Sequence, residues 1–183
     1  KTPKPQVPAQ FDGGRLWTTQ MRNRHLDGGS IGNWNLAGDG GLVWTKSRTN
    51  TYNNTTGDTE SGTGLYLYTN TTVGHTTPTD AYISAYNSNG YDIGSVSGGF
   101  VAGELGASGQ NYVSWSFKKQ TKFFDVVTWT GTGGVRAINH NLGSVPGMII
   151  VKWYNVNTDN WTVYHRGLNG GTDPEDYGIY LNL

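Results

Sequence analysis

Three aromatic residues bracket a short polar loop near the end of the sequence. Trp153 and Tyr154 precede this loop, Trp161 follows it, and Asp159 lies within it. A flat apolar ring can stack on the face of a sugar, while neighbouring amides and carboxylates bond the sugar hydroxyl groups. These four residues therefore form a candidate glycan-binding platform. The alternative is that strand alternation buries at least one of Trp153 and Tyr154 in a core or an interface.

Residues that could support catalysis or bind a metal are present, but their spacing matches no catalytic or metal motif. His140 has no nucleophile or carboxylate beside it, and His165 ends an apolar run, so both are interpreted as turn histidines that bond backbone groups. Asp173, Glu175 and Asp176 form an acidic cluster without the spacing of a calcium loop. The sequence has no cysteine, which excludes disulfides and thiolate metal sites. We therefore predict no enzymatic activity, no cofactor and no metal site.

Charge is distributed unevenly along a chain whose formal net charge is zero. The first 26 residues carry five basic residues, one acidic residue and three of the six prolines. Proline favours an extended backbone, so residues 1–40 are predicted to form an extended arm and a Gly-rich lead-in. The arm would either dock on an acidic protein surface or remain a solvated tail. Its candidate docking residues are Lys1, Lys4, Arg15, Arg22 and Arg24. Because the chain has no overall basic surplus, nucleic-acid binding is not expected.

Glycine, threonine and asparagine are abundant and favour turns and strands over helices. Many short strands separated by turn signals predict an all-β domain over residues 41–183, with a β-sandwich or jelly-roll-like fold behind the extended N-terminal arm. We expect more than about a third of the residues in strands, and no helix longer than about two turns. Strands are predicted at residues 42–46, 65–68, 82–86, 112–117, 123–129, 148–154, 161–164 and around Tyr180, with 123–129 and 148–154 as central strands. The strand at 161–164 is expected to pair with 148–154 through the loop at 155–160.

Two segments near the start of the β-rich region recur near its end. Gly41–Lys46 is similar to Gly147–Lys152, and Gly64–Leu67 is similar to Gly178–Leu181, in the same order. Such an internal repeat predicts a second unit that starts near residue 147. The second unit lacks counterparts of the later strands of the first. We therefore expect it to be incomplete, and the polypeptide to extend beyond Leu183, which an intact-mass measurement would decide.

Several of these segments resemble a repeated domain of tailed-phage virion structural proteins, particularly those of marine and cyanobacterial phages. The resemblance covers residues 41–183 and is most specific in the later half. The long Asn/Thr-rich loop at residues 49–60 and the pair Trp153–Tyr154 depart from the pattern of that family. The segments that carry the resemblance are GLVWTKSR from Gly41, SNGYDIG from Ser88, YVSWSFK from Tyr112, FFDVVTWTGTGG from Phe123, INHNLGSVPGMIIVK from Ile138, WTVYHRGL from Trp161 and YGIYLNL from Tyr177.

The resemblance implies a non-catalytic structural component of a virion: a capsid-attached fibre, a decoration protein or a tail fibre segment. Such a protein would assemble in the host cytoplasm and be exposed on the particle exterior. We expect it to be a homo-oligomer that contacts other capsid or tail proteins through the N-terminal arm. The alternative is an adhesin module that binds a host receptor or surface glycan. No membrane insertion is expected, because the sequence has no apolar run of about 18 residues.

Overall fold

The computed structural model of the protein describes residues 35–78, 81–96 and 103–183. Within them the chain forms short antiparallel strands, one helical turn α1, and two 3-10 turns at Leu168–Gly171 and Pro174–Asp176. In chain order the elements are α1 (Leu36–Asp39), β1 (Gly41–Ser47), β2 (Thr55–Asp58), β3 (Leu67–Tyr68), β4 (Ala81–Asn87), β5 (Gly90–Ser95), β6 (Tyr112–Lys118), β7 (Met148–Val151), β8 (Thr162–His165) and β9 (Ile179–Tyr180).

The first sheet has four strands in the order β3-β2-β1-β6, and every neighbouring pair is antiparallel. Strand β1 lies inside this sheet, and its odd-numbered residues, from Gly41 to Ser47, are buried. The even-numbered residues occupy the other face, where Trp44 lies opposite Trp115 of β6 with ring centroids 6.0 Å apart. The period-two pattern of the sequence thus sets which face of this sheet is buried.

A two-stranded hairpin, β4–β5, covers the buried face of the first sheet. Ala81 and Ile83 of β4 pack in one cluster with Val43 of β1, Leu105 and Leu36 of α1. The prediction of an all-β fold is confirmed, and the sheet and the hairpin form the two layers around this core. Because the Leu36 side chain is part of the core, the packed body includes α1 and begins before the predicted boundary at residue 41.

The third sheet contains β7, β8 and β9 in that order. The predicted pairing of the segment after Gly147 with the segment after Trp161 is confirmed, with Ile149 opposite Tyr164. The prediction of a central strand over 148–154 is wrong, because β7 ends at Val151 and lies at the edge of this sheet. Unlike β1, strand β7 is exposed at all four of its residues.

The predicted central strand at 123–129 is wrong, and the strand at 55–58 was not expected. No strand lies within residues 123–129. They follow a turn at Lys122, whose φ of 64° is left-handed. Within them, the Phe124 ring packs on the Phe117 ring, with centroids 5.4 Å apart. Strand β2 is rich in threonine and glycine, so its composition resembles a polar loop, yet Thr55 and Thr56 are buried. Long connections of this kind leave less than a third of the described residues in strands, contrary to expectation.

Two further expectations concern the chain termini and membranes. The extended arm and its candidate docking residues lie outside the described residues; these are Lys1, Lys4, Arg15, Arg22 and Arg24. In the part of the chain that the structure describes, no helix has the length and hydropathy needed to cross a membrane.

Ile83 is buried between the two layers and Ile149 of β7 is exposed, so shortening these two side chains should lower the stability by different amounts. We expect Ile83→Ala, in the core, to lower the free energy of unfolding by about 2–5 kcal/mol, because it leaves a cavity under the hairpin. The same substitution at Ile149, which is 43 % exposed, should cost less than about 1 kcal/mol. Urea denaturation of both variants measures the difference, and equal losses would contradict the packing described above.

Candidate binding site at the junction of two repeated units

The strands β7-β8-β9 repeat the arrangement of β1-β2-β3 at the level of single hydrogen bonds. We call residues 41–76, which include the segment after β3, the first unit, and residues 147–183 the second unit. The Thr59 N–H donates to the Gly41 carbonyl at 2.9 Å, and the Arg166 N–H donates to the Gly147 carbonyl at 3.0 Å. Between the second and third strands, the Thr69 N–H donates to the Asn54 carbonyl at 2.9 Å, and the Leu181 N–H donates to the Trp161 carbonyl at 3.0 Å. The predicted internal repeat is therefore present in the structure.

The alignment of the third strands differs from the one drawn from the sequence. Strand pairing makes Leu67–Tyr68 equivalent to Ile179–Tyr180. The sequence match of Gly64–Leu67 with Gly178–Leu181 is therefore shifted by two residues. A shift of two preserves the side-chain period of a strand, so the apolar pattern alone does not reveal the error.

An asparagine closes each unit by joining its third strand to the end of its hairpin loop. In the first unit, Asn70 accepts the Asn54 backbone N–H through Oδ1 at 2.8 Å and donates from Nδ2 to Asn53 Oδ1 at 2.9 Å. The second unit repeats both bonds, each at 2.8 Å, with Asn182, Trp161 and Asn160. Sequence reasoning missed these asparagines, although the recurring pattern of a tyrosine two residues before an asparagine would have indicated them.

The lysine that ends each repeated segment folds back onto its own hairpin loop. Lys46 Nζ donates to the carbonyls of Asn50 and Tyr52, at 3.2 and 2.5 Å. Lys152 Nζ donates to the carbonyls of Trp153 at 3.1 Å and Asp159 at 2.9 Å. Burial lowers the pKa of Lys152, and the Asp159 carboxylate opposes that shift. The two ammonium groups thus satisfy carbonyls that an irregular loop cannot pair with other strands.

The second hairpin loop packs on the segment that follows β3 of the first unit. Lys152 Nζ donates to the Thr72 carbonyl at 2.9 Å, and the Gly74 N–H donates to Asn157 Oδ1 at 2.9 Å. The Gly74 backbone lies so close that a Cβ there would be 2.5 Å from the Tyr154 carbonyl oxygen. Next to it, the His75 N–H donates to the same carbonyl, and the His75 and Tyr154 rings lie 4.6 Å apart. Only glycine permits this close approach of the two chains.

Of the predicted glycan platform, Trp161 cannot serve as proposed. Its side chain is only 7 % exposed, and its indole Nε1–H donates to the Tyr68 carbonyl of the first unit at 3.0 Å. A ring inserted between two units has no free face for a sugar, so the prediction for this residue is wrong. Trp153 is 59 % exposed and Tyr154 is 37 % exposed, so neither is buried in the core formed by the described residues.

Trp153 and Asp159 do come together, in a shallow pocket of about 270 Å³ on the second unit. Tyr180 of β9, half exposed, completes the aromatic lining and takes the place expected for Trp161. Tyr154 lies outside this pocket, where it stacks on His75. The pocket is lined by Val151, Trp153, Thr158, Asp159, Asn160, Thr162 and Tyr180. It therefore combines two exposed rings with amide, hydroxyl and carboxylate groups.

The histidines interpreted as turn residues do bond the backbone. His140 Nδ1 accepts the Leu142 N–H at 3.2 Å, and His165 Nδ1 accepts the Gly167 N–H at 3.1 Å. The acidic residues of the 3-10 turn Pro174–Asp176 are exposed. Across residues 35–78, 81–96 and 103–183, no group of three or more His, Cys, Asp or Glu side chains could hold a metal ion.

A larger recess of about 430 Å³ lies beside α1, and its carboxylates are paired with lysines. Asp39 forms an ion pair with Lys118 at 3.1 Å, and Glu60 forms one with Lys119 at 2.7 Å. Lys119 also contacts Asp125 at 3.2 Å. These ion pairs join α1 and the residues that follow β2 to the end of β6.

The packing of His75 at the junction predicts a pH dependence of stability. Burial lowers the pKa of His75 below 6.5, and the Asp58 carboxylate partly opposes this shift. The unfolded state then takes up a proton at a higher pH than the folded state, so stability should fall as the pH drops below about 6.5. We expect the melting temperature to fall between about pH 7.5 and pH 5.5.

A His75→Phe variant keeps an aromatic ring against Tyr154 and removes the titrating group. Its melting temperature should change less over the same pH range than that of the unmodified protein. Identical pH profiles for the two proteins would show that His75 is not the group responsible.

Comparison with known proteins connects this architecture to one family. No curated protein and no solved structure matches the chain. A family model described as a domain of unknown function, DUF7483, matches residues 27–183, which include every element of the fold and both repeated units. The chain therefore belongs to the DUF7483 family.

Proposed function

We propose that the protein is a non-catalytic structural component of a phage virion: a capsid-attached fibre, a decoration protein or a tail fibre segment. The observation that carries the structural role is the packing of two like units in series. The assignment to a phage particle rests on the resemblance of residues 41–183 to virion proteins. On this proposal, the protein is assembled in the host cytoplasm and exposed on the outside of the particle.

Serial packing supports a structural role because the contacts between units are specific and mainly use the backbone. The Trp161 indole, the Lys152 ammonium and the Asn157 amide all bond main-chain groups of residues 68–74. Contacts to the main chain tolerate changes in side chains, so successive units of differing sequence can stack in the same way. Such an arrangement suits a stalk or fibre, in which neighbouring units transmit load along the chain.

Docking to the particle is proposed for the N-terminal arm, and self-association for the β-rich body. The basic residues of the arm, from Lys1 to Arg24, precede the family match, which begins at residue 27. A segment of this composition would bind an acidic surface of a capsid or tail protein. Because the arm precedes the domain, docking can be tested separately from folding.

Deletion of residues 1–26 should leave the β-rich body folded and abolish incorporation into particles. Mass spectrometry of purified particles measures incorporation, and circular dichroism of the isolated protein checks folding. A matched control replaces the five basic residues of the arm by glutamine and keeps its length; it should also fail to incorporate if charge drives docking. Normal incorporation of the deleted form would refute docking through the arm, and absence of the full-length protein from particles would refute the virion assignment.

A second candidate function, glycan binding by an adhesin module, is favoured by the pocket on the second unit. The exposed rings of Trp153 and Tyr180 line this pocket together with Asp159 and Asn160. Stacking on the rings and hydrogen bonds to the polar groups are the two contacts that sugar recognition requires. The two functions are compatible, because a fibre can carry a receptor-binding surface.

Glycan binding would be detected on an array of bacterial surface polysaccharides. If the pocket binds sugar, Trp153→Ala should weaken binding about tenfold, equivalent to about 1.4 kcal/mol of lost stacking. Trp129→Ala is the matched control, because Trp129 is also partly exposed but lies outside the pocket. Equal losses in both variants, or no binding to any glycan, would reject the adhesin function.

A further inference from the structure

Among the described residues, strand β7 has an unpaired edge that corresponds to a paired edge of β1. Strand β1 has β2 on one side and β6 on the other, whereas β7 pairs with β8 alone among the described residues. In an antiparallel pair, successive residues alternately direct their backbone groups toward and away from the partner. The bond from the Arg166 N–H to the Gly147 carbonyl fixes this alternation. The backbone groups of Met148 and Ile150 therefore point to the open edge.

The same positions of β1 are the ones that bond β6. The Lys119 N–H donates to the Gly40 carbonyl at 3.0 Å, and the Arg48 N–H donates to the Asn111 carbonyl at 2.7 Å. By the same alternation, the residues of β1 that bond β6 are Leu42 and Trp44, the counterparts of Met148 and Ile150. The open edge of β7 thus presents donors and acceptors in the pattern that already binds one strand elsewhere in this chain.

The faces of β7 are uncovered as well as its edge. Val43 is 1 % exposed in the first unit, while its counterpart Ile149 is 43 % exposed. Ser47 is buried, while its counterpart Trp153 is exposed. In the first unit this face is covered by the β4–β5 hairpin, which precedes β6 in the chain.

Nothing in β7 itself protects its edge from pairing. Proteins usually shield exposed edge strands with charged side chains, proline or bulges. Strand β7 has the sequence Met-Ile-Ile-Val and contains none of these. The adjacent Lys152 directs its ammonium group into the hairpin loop. An apolar, uncharged edge of this kind favours occupation by another strand.

We propose that the open edge of β7 is an acceptor site for an antiparallel strand of the β6 type, supplied by a partner polypeptide. Such a strand alternates aromatic residues with serine, as Trp115 and Phe117 alternate with Ser114 and Ser116. The register of β1 with β6 transfers directly: position 115 of the partner lies opposite Ile150, and position 114 lies opposite Val151.

The alternation also fits the side chains that the partner would meet. On the covered face of the first unit, Thr45 lies beside Ser114 and donates to its hydroxyl at 3.4 Å. In the second unit the counterparts Ile149 and Val151 are larger than Val43 and Thr45, so small residues on the incoming strand leave room for them. This inference goes beyond the proposed function, because it rests on the repeat geometry and not on location in a particle.

Disulfide trapping tests the site directly, because the chain contains no cysteine. The protein carrying Val151→Cys is mixed with a synthetic peptide of residues 110–119 carrying Ser114→Cys, in the presence of oxidised glutathione as the two-electron oxidant. These positions form a pair without mutual backbone hydrogen bonds, whose Cα atoms lie about 4.5 Å apart, within the range of a disulfide. We expect the mixed disulfide to form about tenfold faster than with the fully exposed control Val135→Cys, because pairing raises the local thiol concentration.

Two further variants separate strand pairing from nonspecific contact. Adding Ile150→Pro to the Val151→Cys protein removes a backbone N–H from the open edge, and not from the ladder with β8, so the rate should fall to that of the control. If this variant misfolds by circular dichroism, a peptide N-methylated at Trp115 removes the equivalent donor from the peptide and should have the same effect.

Equal rates for Val151→Cys and Val135→Cys would overturn the proposal. So would a rate that is unchanged by the N-methylated peptide. Rapid disulfide dimerisation of Val151→Cys without peptide, with no peptide adduct, would identify β7 of a second copy as the occupant and would also overturn it. The particle incorporation of the full chain is an independent measurement, so failure here leaves the proposed virion role intact.

Discussion

Pairing of β1 on both edges is the constraint on which the rest of the structure depends. A central strand can bury one face completely only if its backbone groups are bonded on both sides, because unpaired peptide groups are costly to remove from water. Strands β2 and β6 supply those bonds, and the β4–β5 hairpin then covers Val43. The Thr56 hydroxyl next to the core donates to the Val43 carbonyl at 3.2 Å. The core therefore forms where a strand has neighbours on every side.

The second unit shows what the same local sequence forms when those neighbours are not among the described residues. Its three strands pair as their counterparts do, and its asparagine and lysine make the same loop bonds. The apolar residues of β7 nevertheless stay exposed, although Trp161 and Val163 of the same unit are buried. Hydrogen bonding within a unit is therefore local, whereas burial of the unit requires a further layer. This division explains how units of one type can be joined in series while the faces of a strand such as β7 stay exposed.

The junction between the units is built from loop backbone and not from a shared core. The loop that follows Lys152 reaches the segment after β3, and its contacts there involve Thr72, Gly74 and His75. Trp161 adds the one large buried side chain of this contact, with its ring nitrogen bonded to the Tyr68 carbonyl. Because a tryptophan that is buried here cannot also bind a ligand, the proposed glycan binding falls to the pocket lined by Trp153 and Tyr180.

The sequence by itself determined the all-β class, the strands with clear alternation such as 112–117, the hairpin after Gly147 and the existence of a repeat. These features depend on local composition and on the alternation of apolar and polar residues with a period of two, both of which are visible in a short segment of sequence. It did not determine that the threonine-rich segment at 55–58 is a buried strand, or that the apolar run at 123–129 is not a strand. Those outcomes depend on which segment of the chain lies alongside: β1 pairs with the first segment, whereas in the second segment Phe124 packs its side chain on Phe117. For the same reason the sequence identified the aromatic residues around residues 153–161, while only the tertiary structure decided that Trp161 is buried and that Tyr180 lines the pocket. The type of a side chain determines which contacts it can make, and the packing of distant segments determines which of those contacts form.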